Sequence, residues 1–193
     1  KKLGAEFEWF GEQILKVKGG KVSDNILDDD NAKRMRASIL LTGPLLARFG
    51  KVSFPHPGGC VIGERPIDLF IEGFKKMGAG VSEKDGLYEI AASKGLVGTE
   101  FFFRVPSVTG TETLLLAAIG AKGKTILKNA ALEPEVICLA EFLNSRGARI
   151  LGFGTPEITI EGNYPFEANE PASAAGKVFP VIPDRIEAGS FLI

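Results

Sequence analysis

A Gly-Ala pair recurs three times along the chain, each time behind a short helix tail and ahead of two short alternating stretches: KKLGAEFEWFGEQILKV, KKMGAGVSEKDGLYEIAA and NSRGARILGFGTPEITIEG. The pairs begin at Gly4, Gly78 and Gly147, 74 and 69 residues apart. Ser38 and Ser107 stand 40 residues before the second and third pairs, so the segments upstream correspond too. A period of this length restricts the fold more than any local propensity does, because each unit must be one supersecondary motif stacked on its neighbour.

The contents of the unit follow from its patterning. A helical stretch comes first (Met35 to Phe49; Thr111 to Ile119), then a β-rich piece (Lys51 to Phe54; Lys124 to Lys128), then a loop and a second helix (Pro66 to Met77; Pro134 to Arg146). In the second helix of the first unit, Ile67, Phe70, Ile71, Phe74 and Met77 fall at helical spacing, with a proline in the first turn. The glycine after each second helix supplies the left-handed residue that stops it. Two short strands close the unit, with the period-2 alternation seen at Glu157, Ile158, Thr159 and Ile160. Helices with apolar stripes and strands with one wet face predict an α/β repeat domain turned inside out, with helices inside and mixed sheets outside. Residues 1–193 then form a single domain of two near-complete repeats of about 70 residues plus scraps of a third.

Composition narrows the function classes. The chain is 45% hydrophobic and 24% charged with no membrane-length apolar run, which predicts a soluble domain. With 23 Lys+Arg against 24 Asp+Glu, the net charge of −1 argues against coating nucleic acid or an anionic bilayer, so any anion site must be local. Two cysteines, Cys60 and Cys138, and one histidine, His56, exclude a four-ligand Cys/His zinc site and a disulfide framework, and fit a reducing cytoplasm. No metal and no cofactor is expected. Gly and Pro together number 35, so many tight turns must separate short elements. The chain opens on Lys1 and ends shortly after Asp184, which with Glu187 reads as a helix start. A fragment is therefore expected, with the beginning of a crossing to a second domain.

Two glycine-rich stretches fail as phosphate loops. GAKGKT (Gly120 to Thr125) has Ala118 where the first glycine belongs, and the GAG and GFG stretches have Glu83 and Glu157 where a dinucleotide fingerprint needs its third glycine. FPHPGGCVIGERPIDL (Phe54 to Leu69) is different. Cys60 follows two glycines in a proline-bounded loop, and Arg65 lies five residues on, at a helix start that favours anions. A thiol beside a cation titrates low and can serve as acid or nucleophile; the residues alone leave a structural turn cysteine equally open. Cys138, on an apolar helix, reads as a buried small hydrophobe. His56, between prolines, reads as a turn residue. Lys33, Arg34 and Arg36 place cations at a helix start, which is either a solvated charge run or a site that a bound anion compensates. VPSVTG (Val105 to Gly110) offers backbone N–H groups and hydroxyls for a cap or a polar ligand. Phe101, Phe102 and Phe103 alternate across a strand, which suits core packing better than base stacking.

Together RMRASILLTGPLLARFG (Arg34 to Gly50), PGGCVIGERPIDL (Pro57 to Leu69), PSVTGTETLLLAA (Pro106 to Ala118), NAALEPEV (Asn129 to Val136) and PDRIEAGSFL (Pro183 to Leu192) resemble the enolpyruvyl transferase family. The spacing from GGC to RP resembles the members acting on UDP-N-acetylglucosamine, over the shikimate-pathway members. The resemblance implies transfer of enolpyruvyl from phosphoenolpyruvate to the sugar 3-hydroxyl, with release of phosphate through a tetrahedral adduct. This is the first committed step of peptidoglycan synthesis, in the cytoplasm.

The resemblance also implies roles for residues. Cys60 is the proton donor to the enol carbon and the site fosfomycin alkylates. Arg36 and Arg65 hold substrate phosphates. Pro66, Ile67, Asp68 and Leu69, with Val105, Pro106, Ser107 and Val108, line the uridine nucleotide. The implied partners are UDP-N-acetylglucosamine, phosphoenolpyruvate and a second domain that supplies the catalytic aspartate. The family's N-terminal Lys-Asn pair is not in the sequence, Phe70 stands where many members have histidine, and Asn163 to Lys177 is long. The fragment alone is expected to be inactive. Rival readings are a binding-only module for a uridine nucleotide sugar, a shikimate-pathway transferase and an RNA 3′-terminal phosphate cyclase; the last needs a histidine nucleophile, for which only His56 is present.

Overall fold

A computed structural model describes residues 2–19, 21–27, 29–58, 66–163 and 178–193. The elements are β1 (Glu6–Phe10), β2 (Ile14–Lys18), α1 (Asp29–Arg34), a 3₁₀ segment (Arg36–Leu41), α2 (Thr42–Phe49), β3 (Lys51–Pro55), α3 (Asp68–Lys76), β4 (Gly80–Lys84), β5 (Leu87–Ala91), β6 (Glu100–Phe102), α4 (Val108–Ile119), β7 (Gly123–Lys128), α5 (Pro134–Ser145), β8 (Arg149–Leu151), β9 (Glu157–Gly162) and α6 (Arg185–Leu192).

The repeat has a physical counterpart in the sheets. One sheet runs β3-β5-β4 and the other β6-β7-β9-β8, so after the leading strand the second, fourth and third strands of each unit lie in the same order. β6 pairs parallel with β7 while the remaining ladders are antiparallel. In the first unit the leading strand shrinks to a parallel bridge between Ile26 and Ser53. Gly4, Gly78 and Gly147 all adopt left-handed backbone, with φ of 93°, 90° and 96°. An L side chain resists that conformation, which is why glycine recurs at this point of every unit.

α2, α3 and α4 pack together inside the two larger sheets, while α6 has no buried residue. From Leu114 to Ile119 α4 carries no polar side chain, and Leu114, Leu115, Ala117 and Ala118 are all buried. A stretch with no polar face must be surrounded, and α4 packs against α2, α3, α5, β7 and β9. Its contact with α2 is close because the facing residues are small. A Cβ on Gly43 would sit 2.5 Å from the Thr113 carbonyl oxygen, and one on Gly120 would sit 2.6 Å from the Ala47 Cβ. The strands close over this helical centre with one face each: Val52, Phe54 and Ile90 point in from the first sheet, Leu127, Ile158 and Ile160 from the second.

Five local expectations need correction. The helix read from Met35 to Phe49 is broken, with a 3₁₀ stretch giving way to α2 at Thr42. Pro44 lacks an N–H and its ring crowds the preceding turn, so the α-helix starts just ahead of it. Lys33 and Arg34 do not open that helix; they occupy the last turn of α1, where the helix dipole favours cations. The helix expected from Thr111 begins at Val108, because the Ser107 side chain caps it. Cys138 is only half-buried. The tail expected before Gly4 is a turn at Lys2 and Leu3. Phe101 and Phe103 are buried edge to face at 4.9 Å while Phe102 is exposed, as strand alternation requires.

The N-terminal hairpin has a different exposure. β1 and β2 pair Phe7 with Val17 and Trp9 with Leu15 on one face, and Glu6 with Lys18 and Glu8 with Lys16 on the other. The four apolar residues are 45–60% exposed. No helix among the described residues is long and apolar enough to cross a membrane.

Candidate functional site

The site is framed by the residues around the end of β3 and the start of α3, and by the loop from β6 into α4. Cys60 and Arg65 lie outside the described residues. Gly58 is held by its N–H, which donates to the Ala32 carbonyl at 3.1 Å, and any Cβ there would strike the Lys33 backbone. The end of α1 thus presses directly on the loop backbone, an approach only glycine permits.

Arg36 starts the 3₁₀ segment and reaches across to the same region. Its guanidinium donates to the Pro57 carbonyl at 3.4 Å and the Pro66 carbonyl at 3.2 Å, and sits 6.0 Å from the Phe70 ring centroid. The planar fork ties two separated carbonyls while one face rests on an aromatic ring, a geometry that lysine does not reproduce. Pro66 is exposed, Ile67 is buried in the core, and Asp68 and Leu69 are partly covered. Any polar contact from Ile67 therefore comes from its backbone.

On the other side, the Ser107 hydroxyl accepts from the Gly110 N–H at 3.1 Å, which satisfies one orphan donor of α4, and its carbonyl accepts the first helical bond from the Thr111 N–H at 2.8 Å. Val105 is 59% exposed, Pro106 is also exposed, and Val108 is partly covered. The two segments are joined by Arg104, which the sequence reading passed over. It makes an ion pair with Asp68 and donates to Glu72 at 2.9 Å. Asp68 and Glu72 are spaced to share one face of α3, a signal that a basic partner should stand nearby.

A second polar cluster joins three helix starts. Arg185, at the head of α6, grips the Glu135 carboxylate of α5 with two bonds, at 2.9 and 3.1 Å. That hydrogen bonding holds Glu135 below the usual carboxylate range. Glu112 on α4 goes the other way: burial, followed by the charge of Glu135, pushes its carboxyl up to about 7. Among the described residues no group of His, Cys, Asp and Glu is arranged to hold a metal. A cavity of about 290 Å³ is lined by Ile119, Gly147, Ala148, Arg149, Glu161, Gly162 and Asn163. None of the residues singled out from the sequence as site residues lines it, and its chemistry is that of a polar crevice at a sheet edge.

The profile of the EPSP synthase (3-phosphoshikimate 1-carboxyvinyltransferase) family matches residues 1–193. The chain belongs to this family. It is 45% identical over 192 residues to a UDP-N-acetylglucosamine 1-carboxyvinyltransferase of Thermodesulfovibrio yellowstonii, covering 100% of this chain and 44% of that protein. Against the protein of the same name from Endomicrobium trichonymphae it is 49% identical over 164 residues, covering 85% of this chain and 37% of the other. The chain therefore spans less than half the length of these curated relatives.

Among solved structures, the enolpyruvyl transferase NikO from Streptomyces tendae superposes with a TM-score of 0.71 at 20% identity, over 84% of this chain and 38% of that one. An EPSP synthase from Acinetobacter baumannii does so with 0.60 at 18%, over 83% and 36%. These two likenesses establish the shared inside-out fold of the enolpyruvyl transferases.

Proposed function

We propose that the chain is the nucleotide-sugar-binding part of a UDP-N-acetylglucosamine 1-carboxyvinyltransferase. The observation that carries this reading is 45% identity, sustained across 192 residues, to a protein of that name. In the proposed reaction the sugar 3-hydroxyl gives its proton to the aspartate of the second domain as its oxygen bonds to C2 of phosphoenolpyruvate, while C3 takes a proton. The tetrahedral adduct then loses a proton from the C3 methyl and expels phosphate to leave the enolpyruvyl ether. Cys60 supplies the proton to C3, and Arg36 and Arg65 neutralise phosphate oxygens. Pro66 to Leu69 and Val105 to Val108 line the uridine nucleotide, and the Arg104 bridge to Asp68 supports their belonging to one surface. A second domain of the longer protein closes the other wall of the cleft, and catalysis needs that closure. The setting is peptidoglycan synthesis in the cytoplasm, with Cys60 the target of fosfomycin.

Thiol chemistry tests the reading. The chain has two cysteines, so alkylation by fosfomycin or iodoacetamide can be followed at each by peptide mass spectrometry. Cys60 is expected to react at least about tenfold faster than Cys138 at neutral pH, as a thiol with lowered pKa does. Equal rates at the two positions reject the proton-donor role.

A further inference from the structure

Arg104 links two segments that lie far apart in the chain. It directly precedes Val105, and its guanidinium reaches the first turn of α3, contacting Asp68 and, at 2.9 Å, Glu72. Asp68 and Glu72 are like charges on one helix face, a pair that repels when left alone. A planar fork can satisfy both carboxylates at once, which an ammonium point charge cannot do with the same geometry. One Asp68 oxygen takes the arginine. The other, Oδ1, is buried and has no partner among the described residues.

We infer that Arg104 is a positioning residue for the nucleotide sugar: it fixes the Asp68 carboxylate and holds Pro66 to Leu69 in register with Val105 to Val108. The inference rests on the functional reading above and adds to it a residue outside both lining segments. Its effect on stability is small, because all three side chains are about half exposed. Its effect on binding is larger, because losing it releases two repelling carboxylates beneath the ligand.

The test is titration of UDP-N-acetylglucosamine into the 193-residue chain, followed by NMR shifts so that weak binding is readable, for the unaltered protein, R104A, R104K, D68N and the double variant R104A/D68N. R104A is expected to weaken binding about five- to tenfold with an almost unchanged melting temperature. R104K should recover part of the loss, and the double variant should bind no worse than the weaker single variant, since both act through one carboxylate. Unchanged affinity in R104A, or losses that multiply in the double variant, overturns the positioning role while leaving the functional reading in place. A loss in R104A that tracks a fall in melting temperature and that lysine does not relieve overturns it likewise. Failure of the unaltered chain to bind at millimolar ligand overturns the functional reading and this inference with it.

Discussion

Glu112 is a carboxyl in the wrong solvent. It sits in the first turns of a helix surrounded by other helices, and Glu135, already ionised by its pairing with Arg185, faces it. Its folded value of about 7 lies above the unfolded value of 4.5, so the native state holds the proton more tightly. Native stability must then fall as pH climbs through that interval, with the full penalty present above its upper end and none below its lower end. E112Q is expected to raise stability at pH 8 by about 1 kcal/mol, once the side chain's partial exposure is allowed for, and to change nothing at pH 4. Melting curves at the two pH values decide it; an equal shift at both shows that packing, not charge, is responsible. No local pattern marks this residue, because the charge that faces it is supplied by α5, which lies further along the chain. Ser107 was legible in part: VPSVTG offered its hydroxyl as a cap, but the helix start expected at Thr111 falls three residues after the Val108 that the cap sets.

Among the elements, the crossing of α2 and α4 sets how tightly the centre closes. Gly43 and Gly120 stand where the two backbones nearly touch, so an added methyl meets a carbonyl or another Cβ. Gly189 in α6 has nothing within 4 Å of its would-be Cβ. The same substitution should therefore have opposite signs in two helices. Gly43→Ala is expected to cost about 1–3 kcal/mol through overpacking, more than the roughly 1 kcal/mol that alanine's helix propensity returns. Gly189→Ala keeps that propensity gain with no clash, and is expected to be neutral or stabilising. Urea unfolding of the two variants measures both; stabilisation by Gly43→Ala would show that the helices can part freely. Periodicity located these helices within a few residues, because apolar spacing and stop glycines are local signals. It missed the break before Thr42, where the deciding fact is the reach of the Pro44 ring back into the preceding turn.

At the scale of the whole molecule, the repeat was the most legible feature. Recurrence of the Gly-Ala pairs at 74 and 69 residues implied like units, and the two sheets do share one strand order. The leading strand of each unit was harder to see. β6 is three residues long and its counterpart is a single bridge at Ile26, too short for alternation to register. The candidate site was legible as separate motifs, but their union through Arg104 depends on a contact between positions 68 and 104 that no local spacing encodes. The exposed Trp9, Leu15 and Val17 of the β1–β2 hairpin have a collective consequence. Contiguous apolar surface of this kind favours association. Sedimentation of this chain should become concentration-dependent, and W9E together with V17K should reduce that dependence; indifference to both changes would place the contact elsewhere.

The hairpin also makes the protein report on itself. Trp9 is the sole indole of the chain and is 58% exposed. Its fluorescence therefore arises from one wet chromophore, emitting toward the red and open to quenching by acrylamide. Whatever comes to rest on the hairpin will move that emission to the blue, an optical signal distinct from unfolding of the helical centre.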